Sequence, residues 1–514
     1  MRKTKILMTI GPASMALLDV LVPKIDAVRM NFSHGSRASH KKEIREVRRR
    51  SDSIPLILDT AGPEIRVLEA FRIDSRGVDP AGLKTTVPLE PEEGDVLLLD
   101  DGRYTARMTK KGLVCPRGVE IRKGAKIIIK NKDIGMPTIT EKDLKDIEFG
   151  VGEGVDAVAV SFVRSVDDVL EVNGILNGLG ANDVDVIAKI EHWKALEDVR
   201  RIIKASNGVM VARGDLALEI PYQKVPTVQK KLLDLCWDMK RTGIVATQML
   251  HSMLEQTTAT RAELSDIANA VLDGADALML SGETAIGRHP VEAVDVMSKV
   301  IEEAEKSIRC RFRPASTSEE MAFSAKKIAE RIGAQIFCST NTGRSVRIIT
   351  KFRPRTSIYI NASSKRLTRQ LRLVWGVQEG RPGEGFIVHV KHLTETPGTY
   401  VEYKGDIIAR GESYGTGMVM GTVGKGIQSL DRRSKGLPEN VLAVVYRGEE
   451  NDPIMRQCIE KEIPVILLDQ KIEEGRQVVL DFEFGLVLPY KKGEKYSHLL
   501  NRFPQLLGKK YDSV

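Results

Sequence analysis

The feature that most constrains the fold is a short apolar segment that recurs eight times within roughly the first 285 residues. Each segment contains β-branched side chains and is followed by a polar or glycine-containing turn and then by a stretch of helical periodicity. Buried strands that alternate with helices are typical of parallel sheets. Eight such units predict an α/β protein with a closed (β/α)8 barrel. The predicted strands are residues 5–10, 27–31, 56–60, 157–162, 184–191, 209–213, 244–248 and 277–281.

The interval between the third and fourth segments is much longer than the others, at nearly 100 residues. Within it, strand-like segments such as residues 96–99 and 126–130 alternate with turns. We therefore predict a small β-barrel domain, inserted at residues 68–137 over the barrel mouth, where a mobile lid could exclude water. An insertion with a purely structural role is the alternative. The barrel itself is then predicted at residues 1–67 and 138–305.

Two further units are predicted after the barrel. Residues 306–395 alternate helical and strand-like segments, which indicates an open α/β domain with strands near residues 335–338 and 357–360. Residues 396–514 begin with glycine-rich β-type sequence and continue with further strands and a helix at 453–462. We interpret this last stretch as an additional small unit with a packing or assembly role.

Charge and cysteine usage exclude several classes of protein. The 78 basic and 70 acidic side chains give a net charge of +8, which is spread along the chain and suits anionic small molecules better than nucleic acid. The apolar run near the N-terminus stops at Gly11-Pro12 and is too short for a signal peptide or a membrane span. The cysteines are odd in number and widely spaced, which argues against disulfides or a zinc site and favours the cytoplasm. They are Cys115, Cys236, Cys310, Cys338 and Cys458.

Charged side chains stand at the carboxyl ends of the fifth and sixth predicted strands. Lys189 and Glu191 end the fifth, and Asp215 follows the sixth. The βα loops of a barrel converge at these ends, so we expect the three side chains to meet. Two carboxylates together with substrate oxygens are typical of a Mg²⁺ site, and Lys189 would add fixed positive charge for phosphoryl transfer. A structural ion pair is the alternative interpretation.

The second and third predicted strands end in residues that suit phosphate and a monovalent cation. Arg29 and Arg66 could clamp phosphate through their guanidinium groups. An arginine at a buried strand end would be costly without an anionic partner. Four oxygen-bearing side chains could hold a monovalent cation, although such residues often only cap helices. They are Asn31, Ser33, Asp59 and Thr60.

A separate candidate site lies in the α/β domain, where a strand is followed by a turn and a helix. Amide and hydroxyl groups at a helix N-terminus can form a nest for phosphate. An ordinary strand–turn–helix corner is the alternative. The candidate effector residues are Thr340, Thr342, Gly343, Arg344 and Ser345.

Several of these segments together resemble the pyruvate kinase family, in order and over essentially the whole barrel. The resemblance implies an active phosphotransferase of glycolysis that moves the phosphoryl group of phosphoenolpyruvate to ADP. A metal-dependent barrel lyase and a catalytically impaired binding protein are the alternatives. The matching motifs are Asn31-Phe32-Ser33-His34-Gly35, Gly62-Pro63-Glu64-Ile65-Arg66, Lys189-Ile190-Glu191, Val211-Ala212-Arg213-Gly214-Asp215-Leu216, Ala246-Thr247-Gln248-Met249-Leu250, Thr260-Arg261-Ala262-Glu263 and Met279-Leu280-Ser281-Gly282-Glu283-Thr284-Ala285.

The resemblance also implies roles for individual residues. Lys189 would stabilise the transferring group, Glu191 and Asp215 would hold Mg²⁺ or Mn²⁺, and Thr247 would act in protonating the enolate. The amides of Gly214 and Asp215 would receive the substrate carboxylate. The K⁺ ligands would be Asn31, Ser33, Asp59 and Thr60. The nucleotide would contact Arg29, Asn31, His34, Arg66 and Lys132.

The resemblance also implies how the protein is regulated and assembled, and the sequence departs from the family pattern at a few positions. In the family, a glutamate at the position of Glu64 accompanies dependence of the activity on potassium. The loop at 340–345 resembles the family's effector loop. The resemblance therefore implies a cytoplasmic, allosteric homotetramer. Residues 396–514 faintly resemble a mobile domain of phosphoenolpyruvate-using enzymes, but a phosphohistidine role is excluded because residues 441–489 contain no histidine. The α/β domain looks shortened. Residues that depart from the family pattern are Ala61, His192, Trp193 and Ala217.

Overall fold

The computed structural model describes residues 2–383, 385–391, 398–404, 409–410, 413–414, 418–422, 427–431, 443–447, 465–467, 477–481 and 486–489. The chain divides into two compact units. The larger comprises Met1–Glu330, Gln335–Pro382 and Val388–Tyr400, and the smaller comprises Arg331–Ala334, Gly383–Ile387 and Val401–Val514. Within the described residues, no helix combines the length and the hydrophobicity needed to cross a bilayer.

Eight parallel strands close into a barrel in the larger unit, which confirms the predicted fold class. Numbered along the whole chain, they follow one another around the barrel in the order β1-β15-β14-β13-β12-β11-β3-β2. Their bounds are β1 Lys5–Thr9, β2 Ala27–Asn31, β3 Leu56–Asp59, β11 Ala157–Val160, β12 Asp185–Ile190, β13 Gly208–Ala212, β14 Thr242–Ala246 and β15 Ala277–Leu280.

The strands are buried on both faces, as a parallel barrel requires. Alternate side chains point inward and fill the barrel, and the others pack beneath the surrounding helices. Ile187, Met210 and Ile244 belong to the inner cluster, whereas Val186, Val209 and Val245 belong to the outer one. This double burial explains why the strands appear in the sequence as nearly continuous apolar runs.

Seven of the eight barrel strands end one or two residues earlier than the sequence predicts. β11, β12 and β14 stop at Val160, Ile190 and Ala246, so the polar residues that follow lie on the loops of the barrel mouth. After β14 the reason is conformational, because Thr247 and Gln248 have positive φ angles of 69° and 55° that a strand cannot accommodate.

Helices alternate with the barrel strands, and several begin at local capping signals. Ser36, Thr140 and Thr260 each accept a hydrogen bond from the backbone amide three residues later. The helices up to the end of the barrel are α1 Pro12–Met15, α2 Leu18–Leu21, α3 Arg37–Arg50, α4 Glu141–Gly152, α5 Val166–Gly178, α6 Val199–Ala205, α7 Arg213–Glu219, α8 Val225–Asp238, α9 Arg261–Leu272, α10 Gly282–Ala285 and α11 Pro290–Glu305.

The insertion between β3 and α4 contains seven short strands, and we call its residues 65–137 the lid. Five form one antiparallel sheet in the order β4-β10-β6-β7-β8, and β5 pairs with β9. The sheet is open where the sequence predicts a small barrel, since its edge strands β4 and β8 pair with β10 and β7 and not with each other. The bounds are β4 Ile65–Arg66, β5 Phe71–Ile73, β6 Val96–Leu99, β7 Tyr104–Thr109, β8 Gly112–Val114, β9 Val119–Ile121 and β10 Lys126–Ile129.

A separate α/β domain follows the barrel, as predicted. Its three consecutive strands run parallel in the order β18-β17-β16, with Ile336 paired to Ile358 and Ile358 to Val377. β19 and β20 continue the same sheet beyond β16. The elements are α12 Thr317–Ile332, β16 Gln335–Thr340, α13 Arg344–Thr350, β17 Ile358–Ala362, α14 Lys365–Leu371, β18 Val377–Gln378, β19 Gly385–Lys391 and β20 Gly398–Lys404.

The smaller unit is described through two four-stranded sheets, in the orders β21-β28-β27-β23 and β22-β26-β25-β24. The helix predicted at residues 453–462 lies outside the described residues. The strands are β21 Ala409–Arg410, β22 Ser413–Tyr414, β23 Met418–Thr422, β24 Ile427–Asp431, β25 Ala443–Arg447, β26 Val465–Leu467, β27 Gln477–Asp481 and β28 Leu486–Pro489.

Candidate active site

Four charged side chains alternate in sign at the carboxyl ends of β2, β3 and β12. Arg29 Nε donates to Asp59 Oδ2 over 2.5 Å. Lys189 Nζ lies 2.8 Å from Asp59 Oδ1 and 3.0 Å from Glu191 Oε1. All four residues are at most 8% exposed. Since burying an unpaired charge is very costly, this alternation is what allows Arg29, Asp59, Lys189 and Glu191 to stay together inside the barrel mouth.

The pKa shifts of this group follow from burial and from the charges of its neighbours. Burial opposes ionisation of Asp59, but Arg29 and Lys189 outweigh it and hold the pKa of Asp59 below its usual range. Burial likewise opposes the charged form of Lys189, and the carboxylates of Asp59 and Glu191 outweigh it and raise the Lys189 pKa. Lys189 is therefore a buried ammonium that keeps its charge.

Glu191 shows the opposite balance. Burial and repulsion from Asp215 and Asp59 raise its pKa, against the lowering effect of Lys189. Its Oε2 also accepts a hydrogen bond of 2.8 Å from the Phe162 amide, which fixes the orientation of the carboxylate. Two carboxylates that repel each other across a barrel mouth form a donor set that suits a divalent cation.

A second group of alternating charges connects the lid with Asp215, which lies in the first turn of α7. Lys126, on β10 of the lid, places its Nζ 2.6 Å from Asp215 Oδ1 and 3.1 Å from Glu64 Oε1. Burial lowers the pKa of Lys126, but the two carboxylates outweigh it and raise that pKa. Burial raises the pKa of Asp215, and the Lys126 ammonium outweighs it and lowers that pKa.

The predicted Mg²⁺ ligands thus lie at one mouth, with Glu191 directly after β12 and Asp215 in the first turn of α7, which follows β13. In the described part of the chain, no group of three or more His, Cys, Asp or Glu side chains could hold a metal. A cation at Glu191 and Asp215 would need further ligands from substrate or water, which is the usual arrangement for Mg²⁺.

Of the predicted K⁺ ligands, Asn31 and Asp59 are register partners on β2 and β3. Asn31 Oδ1 accepts from the Ser33 amide over 3.2 Å, and Thr60 Oγ1 accepts from the Ser161 amide over 3.0 Å. The Asp59 carboxylate is shared with Arg29 and Lys189. The K⁺ site stays a prediction.

Thr247 and Gly214 meet near the carboxyl ends of β14 and β13. Thr247 Oγ1 accepts from the Gly214 amide over 2.8 Å and donates to the Ala246 carbonyl over 2.6 Å. Arg213 Nη2 donates to the Thr247 carbonyl over 2.8 Å. A β-branched residue at positive φ is a strained arrangement, and such strain is concentrated at functional sites.

The structure places three other predicted residues outside the buried group. Arg66 is paired with Glu64 over 2.5 Å and donates to the Gly124 carbonyl of the lid. Lys132 Nζ lies 2.9 Å from Glu92 Oε1 and 3.3 Å from Asp95 Oδ2, both in the lid. His34 is exposed at the start of the loop after β2. Their predicted contacts with the nucleotide stay predictions.

The predicted effector loop precedes α13 of the α/β domain. Gly343 has φ +76°, and its amide donates to Thr340 Oγ1 over 2.9 Å. Thr340 and Ser345 are buried, whereas Thr342 and Arg344 are exposed. A regulatory role for this loop stays a prediction.

Two residues of the site are absent from the sequence-based predictions. Ser161 Oγ lies 2.7 Å from Lys189 Nζ and 3.3 Å from Asp59 Oδ1. Its position near the carboxyl end of the fourth predicted strand was a usable signal, because polar residues at the carboxyl ends of barrel strands converge. Lys126 had no comparable signal, since its approach to the barrel depends on how the lid folds.

Comparison with known proteins identifies the family that this chain resembles. The family model described as pyruvate kinase, barrel domain, matches residues 1–84 and 77–294, and the model described as pyruvate kinase, alpha/beta domain, matches residues 319–395. Pyruvate kinases of Staphylococcus aureus strains USA300 and MRSA252 are 35% and 36% identical to the chain, covering 89% of it and 90% of their own length.

Among solved structures, a pyruvate kinase from Cryptosporidium parvum superposes with a TM-score of 0.72 at 28% identity, covering 78% of this chain and 96% of that one. The barrel, the α/β domain and the charged residues at the strand ends are thus found in one chain that matches these relatives along most of its length. The chain therefore belongs to the pyruvate kinase family.

Proposed function

We propose that this protein transfers the phosphoryl group of phosphoenolpyruvate to ADP, giving pyruvate and ATP. The observation that carries the proposal is the buried Lys189 ammonium, held between Asp59 and Glu191 at the barrel mouth. A preorganised charge in a site of low dielectric stabilises a developing anion far better than the same charge in water. Lys189 would act on the phosphoryl group during transfer.

Substrate binding would use the groups around this ammonium. Arg29 is fixed by Asp59 and by Thr9 Oγ1, at 2.5 and 3.1 Å, so its guanidinium is oriented in advance for phosphate. The amides of Gly214 and Asp215, at the start of α7, would receive the substrate carboxylate. Thr247, beside Gly214, would carry the proton that converts the enolate to pyruvate.

Glu191 and Asp215 would hold Mg²⁺ or Mn²⁺, because both carboxylates lie at the barrel mouth and carboxylate oxygens are ligands that these cations prefer. The metal, when bound, would neutralise negative charge on the phosphate and the enolate. The K⁺ ligands would be Asn31, Ser33, Asp59 and Thr60. The remaining nucleotide contacts would come from Arg66, His34 and Lys132. By analogy with the family, we further propose a cytoplasmic homotetramer.

A coupled assay of pyruvate formation, with Mg²⁺ and K⁺ added and omitted, tests this proposal. Lys189→Met should lower kcat by about 10³ or more, because charge stabilisation of this kind is worth about 3–4 kcal/mol. Lys231→Met, an exposed position on α8, is the matched control and should leave kcat unchanged. Thermal unfolding checks that both variants fold. No pyruvate from the parent, or a folded Lys189→Met within tenfold of it, would refute the proposal.

A further inference from the structure

Lys126 has partners that its place in the sequence does not suggest. It belongs to β10 of the lid, yet its Nζ reaches Asp215 Oδ1 at 2.6 Å and Glu64 Oε1 at 3.1 Å. The ammonium also lies 4.5 Å from the centroid of the Phe162 ring, in cation–π range. The residue is only 5% exposed. A lysine so enclosed has its position determined by these partners.

The Asp215 carboxylate therefore has two possible cationic partners, the Lys126 ammonium and a divalent metal ion. Mg²⁺ binds carboxylate oxygens at about 2.0–2.1 Å and demands near-ideal geometry. An ammonium at hydrogen-bond distance from the same carboxylate repels a divalent cation there and takes up ligand capacity. Lys132, the other lid lysine considered above, raises no such conflict because its partners Glu92 and Asp95 belong to the lid.

We propose that Lys126 is a positioning residue that competes with the divalent cation for Asp215 and so links the lid to occupancy of the metal site. The inference rests on the proposed role of Asp215 as a metal ligand. If Asp215 served as a metal ligand, Lys126 would lose its contact with Asp215 and keep Glu64, 3.1 Å away, as its carboxylate partner. Because β10 is paired to both β4 and β6, a displacement of Lys126 that moves β10 also moves these neighbouring strands of the lid sheet.

The test measures Mn²⁺ binding to the substrate-free protein by electron paramagnetic resonance, a readout independent of turnover. Lys126→Met should bind Mn²⁺ at least about tenfold more tightly than the parent, within the usual range of coupling between two sites. Lys126→Arg keeps the competing charge, and Lys123→Met alters an exposed lysine on the same lid. Both should match the parent. A folded Lys126→Met with the parent's affinity would overturn the inference.

A second measurement needs no substitution. In the parent, Mn²⁺ should increase the rate at which a water-soluble acylating reagent modifies Lys126, as followed by mass spectrometry, while the rate at Lys123 stays constant. An unchanged rate at Lys126 would contradict competition.

Asp215→Asn separates failure of the inference from failure of the proposed function. If this variant binds Mn²⁺ as the parent does, Asp215 is not a ligand, and both the metal assignment and the inference fail. If Asp215→Asn loses Mn²⁺ but Lys126→Met equals the parent, the inference alone fails.

Discussion

At the scale of single residues, the site depends on side chains whose hydrogen bonds are fixed before any substrate arrives. Thr247 Oγ1 is hydrogen-bonded to both the Gly214 amide and the Ala246 carbonyl.

Glu219, in the last turn of α7, is 7% exposed, with His192 Nε2 at 3.7 Å from its Oε2. Burial raises the pKa of Glu219 to about 7 and lowers that of His192 to about 4, so both are neutral between these values.

Thr247→Ala should lower kcat by about 10²-fold while leaving the KM for phosphoenolpyruvate nearly unchanged, because the hydroxyl acts in proton transfer to the enolate. The most direct readout is exchange of the pyruvate methyl protons with deuterated water, followed by nuclear magnetic resonance, because this exchange does not require phosphoryl transfer. Thr247→Ser retains the hydroxyl and should keep most of the exchange. A change confined to KM would contradict the assigned role.

Glu219 should make stability depend on pH. Its folded-state pKa of about 7 lies above the ordinary value of 4.5, so between these values the folded protein binds more protons than the unfolded chain. The contribution of this group to stability therefore falls as pH rises from about 4.5 to 7. The Glu219→Gln variant should not show this loss of stability with rising pH. The Tm of the variant minus the Tm of the parent should therefore increase by about 2–6 °C between pH 5 and pH 8. Glu197→Gln, at an exposed position, should show no such trend.

At the scale of elements, α4 anchors the chain as it leaves the barrel for the lid. Asp143, fully buried in the first turn of α4, accepts from the amides of Ala61 and Gly62 at 2.9 and 3.3 Å. It also accepts from the amide and the hydroxyl of Thr140, the residue that caps this helix. One carboxylate thus joins a helix start to the loop after β3.

Asp143→Ala should lower the free energy of unfolding by about 3 kcal/mol, because it leaves several buried donors without acceptors. Asp143→Asn keeps one acceptor oxygen and should cost less. Asp167→Ala alters an exposed acid in the first turn of α5, and so measures the contribution of the helix dipole alone. Urea unfolding of the three variants makes the comparison. Equal effects for Asp143→Ala and Asp167→Ala would show that the loop anchor contributes nothing.

At the scale of the larger unit, ion pairs hold the lid against the barrel. Asp133 of the lid lies 2.9 Å from Arg164 Nη1 and 2.6 Å from Lys194 Nζ, both on barrel loops. Burial alone would raise the pKa of Asp133, but these cations and the Gly135 amide outweigh it and lower that pKa to about 2. The carboxylate is therefore charged at any physiological pH.

Asp133→Ala should loosen the lid without unfolding the barrel. We expect faster hydrogen exchange in β6 and β10 and little change in β12 and β13, because local opening follows the loss of local contacts. Asp74→Ala is the matched control, since Asp74 pairs with Arg76 inside the lid. Equal exchange in both variants, or faster exchange throughout the barrel, would count against a tether at Asp133.

The sequence by itself determined the barrel and most of its mouth. Its eight apolar runs required parallel strands, and the rule that strand ends converge was enough to gather Arg29, Asp59, Lys189 and Glu191. These inferences succeed because they rest on local periodicity and on a topology with few alternatives.

Only the tertiary structure decided how the lid meets that mouth. Lys126 and Asp215 are separated by 89 positions in the sequence, and their contact depends on the fold of the lid sheet and on how it docks. The same holds for the tether at Asp133 and for the Arg66 side chain, which donates to the Gly124 carbonyl of the lid. Contacts of this kind arise from packing between distant segments, which periodicity along the chain does not encode.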